Sequence, residues 1–333
     1  MDMTTARNFW NELPRPFFAM APMEDVTDVV FRRVIARAGR PDVFFTEFTN
    51  TASFCSEQGE FSTRGRLTFE KEENPIVAQI WGSKPENFAE MARALATKGF
   101  AGVDINMGCP DKKVVKSGGG SALVQTPELA TEIISATREG DLPVSVKTRL
   151  GYSKVEEWRP WLTHLLEQNL VNLTVHLRTK KEMSKVPAHF ELIPEIVRLR
   201  DQIAPRTKLT INGDIWDRAH AIELWREHPG IDGFMIGRGV FANPFCFVEH
   251  ENPTRDELFD LLNYHLDLFD ERTVAVGRAS NLSLRKFEPL KRFFKIYVKD
   301  FPGAADLRAK LFECTTTDEV RDVLSPYFTG AAA

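Results

Sequence analysis

From residue 17 to about 245 the chain alternates short apolar runs with longer segments of helical periodicity. The runs are Phe17–Ala21, Val43–Thr46, Ile76–Ile80, Val103–Asn106, Val144–Thr148, Leu173–His176, Leu209–Asn212 and Gly233–Ile236, and each has the length and apolar content of a buried strand. Between them, Pro85–Lys98 is rich in Ala, Met and Leu, with Ser83 placed to cap it. Pro127–Arg138 follows Thr126 in the same way, with Glu128 in its first turn. Eight strand–helix alternations predict an α/β fold, a parallel (β/α)8 TIM barrel. The rival, a doubly wound sheet, would want a Gly-x-Gly-x-x-Gly after its first strand, and none follows Phe17–Ala21. After Asn252-Pro253 the strand pattern stops and helical patterns take over, Asp256–Asp270 first. The expected organisation is a barrel domain over residues 1–250 and a small all-helical C-terminal domain over residues 251–333.

Nearly every expected strand ends in a group that no apolar core would choose: Glu47, Gln79, Asn106, Lys147 with Arg149, His176 with Arg178, Asn212 with Asp214, and Arg238. Taken singly, each is better read as a cap or a turn residue. In a barrel, however, all these ends point to one face, the face on which barrel active sites are built. The fourth run leads into Asn106-Met107-Gly108-Cys109-Pro110 and then a basic, glycine-rich stretch, Lys112–Gly120. An unpaired cysteine is most often simply buried. The flanking glycine and proline, and the glycines behind, instead make Cys109 a candidate proton donor.

Two further groupings suggest a ligand. Asn212-Gly213-Asp214 and Gly237-Arg238-Gly239 follow the last two strands, where glycines let backbone N–H groups approach an anion. They are either a phosphate site or two ordinary glycine turns. Ala21-Pro22-Met23 offers a small rigid ledge for a flat ring, with Gln79 and Lys147 reaching its polar edge. Phosphate at one end and a planar heteroaromatic at the other describe FMN better than a dinucleotide.

Bulk properties narrow the setting. The 333 residues are 43% hydrophobic with a net charge of −4, which disfavours nonspecific nucleic-acid binding by the whole molecule but not by a local basic face. Four scattered cysteines, Cys55, Cys109, Cys246 and Cys314, contain no Cys-x-x-Cys pair, so neither a metal site nor a disulfide framework is expected. Without a long apolar run or a secretory leader, the expectation is a soluble, cytoplasmic protein with no membrane partner, a monomer by default. A local basic face does exist. Residues 285–299 carry Arg285, Lys286, Lys291, Arg292, Lys295 and Lys299 against the single acid Glu288, a net +5. Lys291, Lys295 and Lys299 recur every four residues and predict one basic stripe on a helix, either a solvated face or an RNA contact, with Phe293, Phe294, Ile296 and Tyr297 packing inward.

Taken in order, Ala21-Pro22-Met23, Ala78-Gln79-Ile80-Trp81-Gly82, Asp104 to Pro110, Val146-Lys147-Thr148-Arg149, His176-Leu177-Arg178-Thr179, Asn212-Gly213-Asp214 and Gly237-Arg238-Gly239 resemble the motifs of the tRNA-dihydrouridine synthases, over nearly the whole chain. The resemblance implies an FMN-containing barrel and a helical domain that grips tRNA. It also implies reduction of the C5–C6 bond of particular uridines, with NADPH regenerating the flavin. Hydride would pass from flavin N5 to C6, and Cys109 would protonate C5. Gln79, Lys147 and His176 would face the flavin beside the Ala21-Pro22-Met23 ledge, and Asn212, Gly213, Asp214, Gly237 and Arg238 would hold its phosphate end. Asn106 and Arg178 would meet the substrate uridine, and Arg285, Lys291, Arg292 and Lys295 the tRNA. The stretch after His176-x-Arg178-Thr179 departs from the family pattern, with Ser184, Val186, His189 and Phe190 where an aromatic, a glycine and an Asp-Trp pair are common. Two other readings remain open: an FMN barrel acting on a free pyrimidine, resembling dihydroorotate dehydrogenase, and a nonenzymatic tRNA-binding or folding factor.

Overall fold

The computed structural model describes residues 8–250, 252–279 and 287–328. Within them, nine parallel strands form one sheet: β1 Phe17–Met20, β2 Phe44–Phe45, β3 Thr49–Asn50, β4 Ile76–Trp81, β5 Gly102–Met107, β6 Val144–Arg149, β7 Asn172–His176, β8 Lys208–Asn212 and β9 Gly233–Ile236. The order is β1-β9-β8-β7-β6-β5-β4-β2, and a bridge between Ala19 and Val43 brings the two ends together. The result is a nearly closed barrel with all eight expected strands in place. The short β3, which pairs with β4 through Thr49 and Asn50, is an addition; two polar residues give no apolar run to read.

The helices keep their expected positions with small differences at the ends. Pro85–Thr97 starts after Lys84, not Ser83, and no side chain caps it. Thr126 does sit at the cap of Pro127–Thr137, but its hydroxyl makes no capping bond. In both helices proline in the first turn removes one unsatisfied N–H, which lowers the demand for a capping oxygen.

Residue contacts divide the chain into two compact units. The first comprises the described residues up to Val29 together with Pro41–Gly237. One half of its barrel is filled by Phe17, Ala19, Phe45, Val77 and Met235, with Trp10 from the 3-10 turn Phe9–Asn11 packed against them. The inward positions of β5 to β8 are polar instead. Thr210 Oγ1 donates to Asn172 Oδ1 at 2.7 Å and Asn172 Nδ2 to Thr174 Oγ1 at 3.1 Å, all three fully buried. Burying such groups costs little only when each is paired, so this half of the barrel is held in one register.

The second unit contains Val30–Arg40 and the described residues from Arg238 onward. Its core joins Phe31, Phe293 and His265, and His265 Nδ1 is hydrogen-bonded to Tyr297 Oη at 2.8 Å. Burial lowers the His265 imidazole to about 3, so it is neutral. The first C-terminal helix runs Arg255–Ala279, further than the expected Asp256–Asp270. The expected lysine stripe is not on one helix. Glu288–Lys291 and Phe294–Tyr297 are separate four-residue helices, and Val298 leaves helical geometry at φ −108°, ψ 86°. The cause lies in the apolar pattern. Phe293, Phe294, Ile296, Tyr297 and Val298 are all buried, and five such positions in six surround a continuous helix rather than forming one face.

Candidate active site

The C-terminal strand ends converge on a chain of buried amides. Asp104, fully buried in the middle of β5, accepts from Ser145 Oγ at 2.6 Å and from Gln79 Nε2 at 2.7 Å. Gln79 Oε1 then accepts from Asn106 Nδ2 at 2.9 Å, and Asn106 Oδ1 accepts from the backbone N–H groups of Gly108 at 3.1 Å and Cys109 at 2.9 Å. A carboxylate can only accept and a backbone N–H can only donate, so the two ends fix the orientation of both amides. Each amide keeps one uncommitted N–H, so what they offer a ligand is donors. The Cys109 turn is also anchored from its other side, because Cys109 O accepts from Ser121 Oγ at 2.9 Å and from Ser121 N at 3.1 Å. Asp111 caps the short helix Lys112–Lys116 that follows.

Lys147 and Arg149 alternate inward from β6. Burial, then repulsion from Arg149, lowers the Lys147 ammonium to about 8, against the opposing pull of Asp104 and Cys109. Arg149 is lowered to about 10 by burial first. Its guanidinium is committed to backbone: Nε donates to Gly108 O at 2.8 Å, and Nη1 to Thr179 O at 3.1 Å and Met183 O at 2.8 Å. The Cys109 thiol is half-buried, and desolvation raises it above the ordinary thiol value.

Around the rim, Arg178 is buried and joins three parts of the β7 end: Nε donates to Val186 O at 2.6 Å, Nη1 lies 3.1 Å from His176 Nε2, and Nη2 pairs with Asp214. Asp214 also accepts from Ala188 N at 3.0 Å. Asn212 Nδ2 donates to Met235 O at 2.7 Å. Gly213 has φ +112°, and a Cβ there would lie 3.2 Å from the His176 ring and 3.3 Å from Ala188. Gly237 approaches Ala21 and Met23, so the expected ledge and the last glycine turn are neighbours. A cleft of about 940 Å3 opens beside Cys109, lined among others by Met23, Arg66, Trp81, Pro110 and Met183. No cluster able to hold a metal ion exists among the described residues, and none of their helices is long and apolar enough to cross a membrane.

The family model for dihydrouridine synthase matches residues 19–332. A probable tRNA-dihydrouridine synthase 2 of Bacillus subtilis is 57% identical over 321 residues, covering 96% of each chain. A probable tRNA-dihydrouridine synthase of Staphylococcus aureus (strain Mu50) is 56% identical, covering 96% of this chain and 95% of that one. This chain belongs to the dihydrouridine synthase family. Among solved structures, histamine dehydrogenase from Rhizobium sp. 4-9 superposes with a TM-score of 0.52 at 12% identity. The match covers 69% of this chain and 44% of that protein, a likeness of fold alone.

For this dihydrouridine synthase family member, the structure brings Cys109, Asn106, Gln79, Lys147, His176, Arg178, Asn212, Gly213 and Asp214 to one end of the barrel, with Ala21, Pro22, Met23 and Gly237 beside them. Arg238 belongs to the second unit, whose C-terminal stretch it opens. Lys291, Arg292 and Lys295 also belong to that unit, and Arg285 lies outside the described residues. The residues that sequence reasoning missed are supporting ones. Asp104 and Ser145 were hidden inside apolar runs, although a carboxylate in the middle of a buried strand was itself the signal. Glu182, which accepts from Thr179 N at 2.7 Å and lies 3.0 Å from His189 Nε2, is distinguished by no pattern in sequence.

Proposed function

We propose that this protein reduces uridine in tRNA to 5,6-dihydrouridine, using FMN that NADPH re-reduces. The observation that carries the reading is the Asp104–Gln79–Asn106 chain, which ends on the Cys109 N–H beside an open cleft. The residues fit a flavin. Gln79 keeps one N–H for a carbonyl edge, and Lys147, half-buried at the same strand ends and lowered to about 8, is a cation suited to an anionic ring. Bound there, FMN supplies the hydride equivalent for C6 of uracil. Lys147 and Gln79 would hold the ring edge on the ledge of Ala21, Pro22 and Met23. Asn212, Gly213 and Gly237, with Arg238 next in the chain, would hold the phosphate.

The protein's own chemical task is to put a proton on C5 as negative charge develops there. Cys109 suits it because burial keeps the thiol protonated near neutral pH. Asn106 presents its remaining N–H to a uracil carbonyl while its oxygen holds the Cys109 turn, so one amide sets the spacing of acid and base ring. Buried Arg178 would serve through His176 and Asp214 rather than by direct contact. Extracting the base from the tRNA stack costs a few kcal/mol, and the exposed Arg292 and Lys295, with Arg285, would contribute tRNA binding to offset it.

The test is nucleoside mass spectrometry of tRNA lacking dihydrouridine after incubation with the FMN-loaded protein and NADPH. A gain of two hydrogens on uridine is expected. No gain from a flavoprotein that NADPH reduces, with turnover of free uracil or orotate instead, would replace this reading with a free-pyrimidine reductase.

A further inference from the structure

The cleft beside Cys109 contains a third sulfur, besides those of Cys109 and Met23, that has no role in the account so far. Met183 is 43% exposed and lines the cleft together with Cys109, Trp81 and Met23. Its backbone is left-handed at φ +56°, a conformation that a long apolar side chain adopts only where its surroundings impose it. What imposes it is visible. Met183 N donates to Lys180 O at 3.3 Å, and Met183 O accepts from Arg149 Nη1 at 2.8 Å. The same guanidinium donates through Nε to Gly108 O, the carbonyl immediately before Cys109.

Arg149 is 7% exposed, and its planar fork is rigid. One buried side chain therefore fixes the backbone of the thiol turn and the backbone of Met183 relative to each other. An exposed thioether held in a strained conformation at a set distance from a proton donor gains nothing for folding. It does suit a flat, weakly polar ring, because methionine sulfur packs well on aromatic faces and adapts to their position.

We propose that Met183 is a binding residue for the face of the target uracil, and that Arg149 is the positioning residue that holds this wall in register with Cys109. This rests on the uridine-reductase reading above. The thioether offers no hydrogen bond, so it would favour a planar ring without choosing among bases; that choice falls to the remaining N–H of Asn106.

The experiment compares wild type, Met183→Ala, Met183→Leu, Arg149→Lys and the Met183→Ala/Arg149→Lys double variant. Each is assayed for kcat and KM on tRNA lacking dihydrouridine and, separately, for flavin reduction by NADPH without tRNA. Met183→Ala should lower kcat/KM for tRNA about ten-fold, the upper end for a sulfur–aromatic contact. That loss should exceed any change in flavin reduction at least five-fold, and Met183→Leu should recover most of it. Arg149→Lys should cost less on the Met183→Ala background than on wild type, because part of its effect passes through Met183. A Met183→Ala value within two-fold of wild type, an equal loss in flavin reduction, or fully additive variants would overturn the inference. Absence of dihydrouridine with wild type itself would overturn the functional reading, and this inference with it.

Discussion

A thiol can donate a proton only while it holds one, and the surroundings of Cys109 favour that state: burial raises it, against weaker opposing effects from the Asp111 N–H, Arg149 and Lys147. In the proposed reaction Cys109→Ala should therefore slow uridine reduction by about 10²- to 10⁴-fold, the usual worth of a placed acid. Flavin content, read from the visible spectrum, should be retained, since no flavin contact is assigned to this side chain. Asp104 raises a separate question of stability. Burial lifts its carboxyl from 3.8 to about 6, with the Ser145 and Gln79 hydrogen bonds and Lys147 pulling the other way. The folded state thus holds this proton more tightly than the unfolded state, and ionisation opposes folding. The contribution is most favourable below about pH 4, declines as pH rises towards 6, and is constant above, a swing of about 3 kcal/mol. Asp104→Asn removes that swing and keeps the shape, because its carbonyl can accept from Gln79 while Ser145 turns to accept from its amide. Urea titrations at pH 4.5 and pH 8 should show the variant gaining on wild type at the higher pH; an equal difference at both would mean that Asp104 is not the group responsible.

At the scale of elements, the barrel was legible because its strands are buried on both sides and so appear as unbroken apolar runs between helical segments. Polar residues at the ends of those runs marked the end of the barrel on which they gather in the structure. Where burial and regular periodicity separate, the sequence misleads. Residues 291–299 looked like one helix bearing a lysine stripe, yet so many adjacent residues are buried that the stretch is split between two short helices, Glu288–Lys291 and Phe294–Tyr297. The loop from Thr179 to Glu191 was unreadable for a different reason: its order comes from side-chain bonds that leave no periodic trace. Glu182 binds Thr179 N and Thr179 Oγ1, and His189 lies between Glu182 and Glu191 at 3.0 and 2.8 Å. Burial alone would lower the His189 imidazole, but its two carboxylate partners outweigh this and raise it. A raised histidine stabilises its loop fully below the ordinary histidine range, and the stabilisation is lost as pH rises through the folded value. Hydrogen exchange at the Thr179 N–H, corrected for its intrinsic rate, should therefore quicken above neutral pH in wild type. In His189→Ala the exchange should already be fast at pH 6 and show no such step.

For the whole molecule, the net charge of −4 means that attraction to RNA depends on where the cations lie rather than on their number. The structure separates the expected cations by what each already does. Lys291 donates to Phe312 O at 2.8 Å and pairs with Glu288 at 2.8 Å, while Lys299 is bonded to Ala242 O and lies 3.7 Å from Asp300. Arg292 and Lys295 present exposed side chains. Moving Lys291 or Lys299 to a phosphate would cost an internal bond; moving Lys295 outward requires less rearrangement of buried structure. Arg292→Glu and Lys295→Glu should each weaken tRNA binding several-fold at moderate salt and reduce the slope of log affinity against log salt by about one, as expected for one lost phosphate contact. Lys291→Met should instead lower the melting temperature with little change in that slope, because its ammonium holds the end of the helix Ala304–Glu313. Anisotropy titrations across a salt series separate the two outcomes. Equal slopes in all three variants would place the tRNA on another surface of the protein.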